Sequence, residues 1–133
     1  MNCDIGVGVG IIVKKEDEIL LLKRNTFHGN GTWTPPGGTL EYGESFEECA
    51  IRECKEETNV DIDEVTFITL TNDIFEEEKE HYVTIWMEGR YTSGESKVNS
   101  KGEVSEIKWV TWDNLPKNLF LSFQNFIKGN FFQ

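Results

Sequence analysis

Residues 38–60, GTLEYGESFEECAIRECKEETNV, constrain this chain more than any other segment. An α-helix turns about 100° per residue, so positions three, four and seven apart share a face. Phe46, Cys49 and Ala50 start an apolar stripe with that spacing. Its continuation falls on Glu53 and Glu57, flanked by Glu56, before it closes on Val60. A stripe that begins as core therefore turns acidic halfway along. Carboxylates crowded on a half-buried face repel one another and lose hydration, and they stay ionised when a cation compensates them. An all-oxygen set suits Mg2+ or Mn2+ better than zinc. The competing reading is a solvated acidic face, which is what most charge runs are. That reading is assigned to Glu47 and Glu48, and the metal reading to Glu53, Glu56 and Glu57.

The rest of the chain bounds what such a site serves. Its 133 residues amount to one domain's worth of chain, 1–133, able to bury about two thirds of the unfolded surface. A net charge of -11 argues against a nucleic-acid polymer or an anionic membrane as partner, since both are polyanions. It leaves room for a small-molecule nucleotide, whose phosphates arrive with divalent cations. Cys3, Cys49 and Cys54 lack metal-type spacing and read as reduced, packed thiols. The N-terminus shows no basic region followed by an apolar run, and no stretch reads as long enough to span a bilayer, so the expected location is cytoplasmic.

Elements alternate along the chain. Strands are expected at 5–14 and 18–24 around a charged turn, then a Gly/Asn-rich mobile loop at 26–34 and a rigid Pro-Pro-Gly-Gly turn. A short extended piece at 40–42 precedes a helix at 44–58, closed by Asn59 as a left-handed cap. Strands follow at 65–74 and 82–92 around the acidic connection 76–80, then at 106–111, with a turn at 112–115. The last helix is expected at 119–128, with Leu119, Phe120, Phe123 and Ile127 along one side. This order implies an α/β fold, an α/β/α sandwich around a mixed sheet.

The acidic helix also carries a pattern. It resembles the Nudix box, G-x5-E-x7-R-E-U-x-E-E-x-G-U with U a bulky aliphatic. Gly38, Glu44, Arg52, Glu53, Glu56, Glu57 and Val60 match in register. Cys54 stands in place of an aliphatic and Asn59 in place of the final glycine, and neither is an expected ligand. Outside the box, LLLKR, TWTPPGG, HYVTIWMEG and IKWVTWDNLP are similar to the MutT-type nucleoside triphosphate diphosphatase branch, so the resemblance covers nearly the whole chain.

The resemblance implies the Nudix fold and hydrolysis of a nucleoside diphosphate linked to another group, with divalent cations bridging carboxylates and phosphates. It implies metal ligands at Glu53, Glu56 and Glu57 and at the carbonyl of Gly37 or Gly38, with Glu53 as general base. Glu44 and Arg52 are expected as supporting catalytic residues, Arg52 holding the box together. A further metal carboxylate from outside the box is expected at Glu106, with Glu103 second. Arg24 and Gly38 are expected at the substrate, and Phe120 or Asn118 at the base; Lys23 should point the other way and Trp33 should pack the loop. Mg2+ is the expected cofactor, with Mn2+ as the alternative. The expected substrate is a (deoxy)nucleoside triphosphate cut to monophosphate and pyrophosphate. The alternative is ADP-ribose or a nucleotide sugar; the run Phe75-Glu76-Glu77-Glu78 speaks against the ADP-ribose and dinucleoside types. A homodimer is left open, because Phe126, Phe131 and Phe132 suit an interface or the chain's own core equally.

Overall fold

A computed structural model describes residues 4–99 and 102–129. Cys3, Phe131 and Phe132 lie outside the described residues. The apolar alternation of the first half produces β1 (Gly6–Lys15) and β2 (Glu18–Arg24), joined by a tight turn in which Glu16 takes φ 56°. Two short strands follow, β3 (Trp33–Thr34) and β4 (Gly37–Thr39), then α1 (Phe46–Thr58). The long strands β5 (Asp61–Phe75) and β6 (Glu80–Ser93) form an antiparallel ribbon, and β7 (Val104–Thr111) and α2 (Leu121–Lys128) complete the order.

The strands form one mixed sheet ordered β3-β2-β1-β6-β5, with β4 also paired to β1 and β7 to β2. Among the described strands only β1 and β6 pair in parallel, with Val9 opposite Ile85 and Ile11 opposite Met87. Period-two alternation then divides the apolar residues between two cores. Val9, Ile11, Val13, Ile85 and Met87 pack with Cys49, Ala50, Cys54 and Val60 on the α1 side. Ile12, Trp86 and Val110 pack with Phe123 and Phe126 on the α2 side. A helix on each face gives the expected α/β/α sandwich. Truncating fully buried Phe123 to alanine would cost about 3–5 kcal/mol.

Several boundaries move for local reasons. Helix α1 starts after Ser45, which accepts the Glu48 N–H at 3.0 Å while the Glu48 side chain accepts the Ser45 N–H at 2.8 Å. This reciprocal cap satisfies two otherwise orphan donors, so Glu48 closes the helix end as well as meeting solvent. Asn59 ends the helix at φ 65° as expected. The short extended piece is 37–39 rather than 40–42, because Gly37 and Gly38 pair with Gly10 and Val9. Loop 25–32 is stitched to β2 through Arg24 N–H to Thr32 O at 2.8 Å and Gly31 N–H to Arg24 O at 2.8 Å. Helix α2 begins two residues later than expected, which leaves Phe120 ahead of it, and its buried side is Ser122, Phe123 and Phe126. No helix among the described residues is long and apolar enough to cross a membrane.

Candidate active site

The inward stripe of α1 is only partly as expected. Phe46 is exposed, so the apolar part begins at Cys49 and Ala50. Burial pushes both the Cys49 and Cys54 thiols up to about 12, and both are free, packed cysteines. Further along, the three carboxylates separate. The Glu53 side chain is 13% exposed and the Glu56 side chain 55%. Glu57 turns in against β4 and accepts the Gly37 N–H at 2.9 Å.

Neither glycine of β4 has room for a side chain. A Cβ on Gly38 would stand 1.3 Å from Glu53 Oε2, and one on Gly37 would stand 2.4 Å from the Val9 carbonyl oxygen. The carboxylate of Glu53 therefore occupies the space that a side chain at position 38 would take. Arg52 organises the surrounding charge. Its Nη2 donates to Glu44 Oε1 at 3.0 Å, and its Nη1 donates to Glu53 Oε1 at 3.0 Å and Glu56 Oε2 at 3.3 Å. The guanidinium holds Glu44 down to about 2, helped by the Glu41 N–H.

One guanidinium is too little for this many carboxylates. Burial pushes Glu57 up to about 8, against relief from the Gly37 N–H and with added repulsion from Glu53 and Glu103. Burial also raises Glu53; Arg52 opposes the rise, and the neighbouring Glu56 and Glu103 reinforce it. Among the described residues no three His, Cys, Asp or Glu side chains are gathered into a ready-made metal cage; Arg52 draws Glu53 and Glu56 toward itself instead. The donors still fit a hard divalent cation. They are all oxygen, and two of them are buried with less positive charge than they need.

These groups form one end of a cleft of about 610 Å³, which Glu53, Glu56, Glu57, Gly37 and Gly38 line together with Arg52. The other end is aromatic. His28 packs edge-on against Phe75 with ring centroids 4.3 Å apart, and Phe120 lies 5.4 Å from Phe75. Tyr82 closes the group 6.1 Å from Phe75. Arg24 stacks its guanidinium 4.2 Å from the Phe120 ring, and its Nε donates to the His28 carbonyl at 3.0 Å. Burial lowers the Arg24 pKa, with Glu57 and Glu103 opposing the shift. The His28 Nδ1 lies 3.4 Å from carboxylate oxygens of Glu78, on the turn between β5 and β6, and of Glu80, the first residue of β6.

The structure thus brings together Arg24, Gly37, Gly38, Glu44, Arg52, Glu53, Glu56, Glu57 and Phe120. It leaves two expected residues outside. Glu106 is exposed and pairs with Lys23 at 3.3 Å, away from the cleft lining. The antiparallel register sets Glu106 opposite Lys23, and a shift at Lys23/Arg24 then brings Val104 opposite Arg24. The carboxylate that reaches the cleft is therefore Glu103, anchored where its carbonyl accepts the Asn25 N–H at 2.7 Å. The side chain of Asn118 is exposed, and its carbonyl accepts the Trp33 N–H at 2.7 Å; its place is in the chain path and not in the cleft. Trp33 packs in the core beneath Lys108, as expected. His28, Phe75 and Tyr82 were missed. Phe75 and Tyr82 flank the acidic turn on strands whose alternation was read, but the sequence does not say which face borders a cleft.

The NUDIX domain family matches residues 4–128, and the chain belongs to that family. It is a NUDIX domain, and Nudix hydrolases generally use divalent metal ions. The NAD-capped RNA hydrolase NudC of Escherichia coli (strain SMS-3-5 / SECEC) is 31% identical over 106 residues, covering 80% of this chain and 39% of that protein. The chain thus spans about two fifths of the length of that relative. Among solved structures, a MutT NUDIX hydrolase from Burkholderia pseudomallei superimposes with a TM-score of 0.86 at 26% identity, covering 96% of this chain and 98% of that one. The MutT protein from Methanosarcina mazei Go1 gives 0.77 at 26% identity, covering 94% and 91%.

Proposed function

We propose that the domain hydrolyses (deoxy)nucleoside triphosphates to the monophosphate and pyrophosphate, with Mg2+ as the cation and Mn2+ as its substitute. The observation that carries this reading is the two-ended cleft: undercompensated carboxylates at one end, and an aromatic recess with one stacked arginine at the other. A nucleotide is built the same way, with a charged phosphate chain at one end and a flat base at the other. Stacking on aromatic rings contributes about 1–3 kcal/mol per base and tolerates any base.

Glu53, Glu56 and Glu57 would hold the cation, with Gly37 and Glu103 bordering the position. When bound, a divalent cation neutralises phosphate charge and makes water a better nucleophile. Glu53 takes the proton of the attacking water, since its carboxylate lies inside the cleft and Arg52 and Gly38 fix its place. Arg52 and Glu44 are positioning residues, a charged pair that keeps Glu53 turned toward the cleft. Arg24 supplies a cation between the two ends, for the phosphate chain or the edge of the base.

A second reading rests on the NudC relatives, whose name gives NAD-capped RNA as substrate. By that reading the cleft takes a dinucleotide pyrophosphate. One panel separates the two. Nucleoside triphosphates, ADP-ribose, a nucleotide sugar and NAD are incubated with Mg2+, and pyrophosphate, orthophosphate and mononucleotide are measured. Pyrophosphate from triphosphates supports the first reading. Mononucleotides from NAD, without pyrophosphate from any triphosphate, overturn it.

A further inference from the structure

Beside the aromatic end of the cleft lies a carboxylate that the hydrolysis does not use. Asp73 on β5 is fully buried. Its hydrogen bonds come from neutral donors: Asn125 Nδ2 reaches Oδ1 at 2.9 Å, while the Thr84 and Thr71 hydroxyls reach Oδ2 at 2.6 and 3.2 Å. Trp86 Nε1 donates in turn to Thr71 Oγ1 at 3.0 Å. Pinning α2 to the sheet accounts for Asn125 and one oxygen of Asp73. The other oxygen fixes two hydroxyl protons. A hydroxyl carries a single proton, and Thr84 has given its proton to Asp73, so toward any further partner Thr84 Oγ1 can only accept. Thr84 is 9% exposed and lines the cleft. It follows Tyr82 by two residues on β6 and so shares its side, and Tyr82 stands opposite Asp73. Two more hydroxyls border the same cleft, Thr34 of β3 and Ser122 in the first turn of α2, 7% and 6% exposed. The bridge between Trp33 and Leu119 holds these two segments together. Neither hydroxyl has a hydrogen-bond partner among the described residues, so both remain able to donate or accept.

We propose that these three hydroxyls read the polar edge of the nucleotide base, with Thr84 fixed by Asp73 as an acceptor that selects a base carrying an N–H there. The proposal rests on the reading that the aromatic end takes the base. A base that enters with its sugar toward the carboxylates presents its Watson–Crick edge, the one farthest from the sugar, to the hydroxyls. An N–H on that edge meets the Thr84 oxygen. A base without one sets a ring-nitrogen lone pair against the Thr84 lone pairs, out of reach of water, and an unmet polar group in such a place is costly. Thr34 and Ser122 adapt to whatever flanks the N–H, because their protons are not committed. Asp73 does not reach the base. It is a positioning residue that acts through the direction of the Thr84 proton. A carboxylate that merely docked α2 would affect all bases alike, whereas one that sets the polarity of Thr84 affects them according to their donors.

The test is calorimetric binding of nucleoside monophosphates to the full chain with Mg2+, since monophosphates are products of either hydrolysis and are not turned over. AMP is compared with purine riboside monophosphate, and CMP with 2-pyrimidinone riboside monophosphate. In each pair the second base lacks the amino group, the one N–H on the Watson–Crick edge of adenine or cytosine. The wild type is expected to bind the amino-bearing member about tenfold more tightly. Thr84→Val keeps the shape and brings that ratio to about one. Asp73→Asn also keeps the shape, and its amide donates to Thr84 Oγ1 and turns the hydroxyl proton toward the base, so the ratio falls to one or below. Circular dichroism confirms that both variants are folded, and Thr84→Val carries the test alone if Asp73→Asn is not. Equal binding of both members by the wild type, or an unchanged ratio in Thr84→Val, overturns the proposal while leaving the base in the recess. Monophosphate binding that Phe75→Ala leaves unchanged overturns the placement of the base itself, and this proposal with it.

Discussion

The two ends of the cleft are assembled in opposite ways. The acidic end comes from one helix, the turn that leads into it and the strand beside it: Glu44, Arg52, Glu53, Glu56 and Glu57 lie within fourteen consecutive residues and meet Gly37 and Gly38 of β4. The aromatic end draws Arg24 from β2, His28 from a loop, Phe75 from β5, Tyr82 from β6 and Phe120 from the approach to α2. Chemistry that depends on fixed relative positions is carried by one rigid element. Recognition is spread over segments that change independently, so it can be retuned without disturbing the carboxylates.

That contrast can be broken by substitution, because the two ends should fail in different kinetic constants. The largest effect is expected at Glu57. Glu57→Gln keeps the shape but removes a buried charge, and kcat for the preferred nucleotide should fall by about 100-fold or more, with an unchanged circular dichroism spectrum. A variant with near wild-type kcat would remove Glu57 from the chemistry. Next is Gly38→Ala. The added methyl group collides with Glu53 Oε2, and displacing a reacting group by about 1 Å costs on the order of 100-fold in rate; steady-state kinetics should show a kcat loss with little change in KM. Phe75→Ala should act in the other constant, raising KM by about tenfold and sparing kcat, as expected for one lost stacking contact. If it lowered kcat as strongly as Gly38→Ala, the division between the ends would fail. The smallest contrast lies on β7: Glu103→Gln should reduce activity several-fold, whereas Glu106→Gln, which loses only an exposed pair with Lys23, should remain within about twofold.

Legibility in the sequence follows the same division. The helix, its left-handed Asn59 cap and its split into apolar and acidic halves could be read because each depends on contacts within a few residues. Arg24 was readable as the end of an alternating strand. The error at Glu106 arose from a single register shift at Lys23/Arg24, which strand alternation cannot anticipate. Asn118 was misplaced because the last helix starts at Leu121, so the chain before it runs along Trp33 and uses its backbone there. The grouping of His28, Phe75 and Tyr82 depends on a loop folding over the β5–β6 ribbon, a long-range contact with no local signal. Glu56 shows the limit of the stripe argument: it sits one position off the inward line, and its side chain is mostly in solvent.

The central claim is that the acidic end is incomplete without a divalent cation, and thermal unfolding as a function of pH tests it most directly. Burial pushes the Glu57 carboxyl from its ordinary 4.5 in the unfolded chain up to about 8 in the fold. The folded state therefore retains a proton that the unfolded chain releases. The resulting stabilisation is complete below pH 4.5 and is lost as the pH rises through about 8. In chelator-treated protein Tm should decline across that window. Added Mg2+ should raise Tm strongly at the alkaline end, where the carboxylates are ionised, and hardly at the acidic end. In Glu57→Gln both the decline and the Mg2+ effect should shrink. A Tm that ignores Mg2+ at alkaline pH, or that responds equally at both ends of the window, would contradict the account.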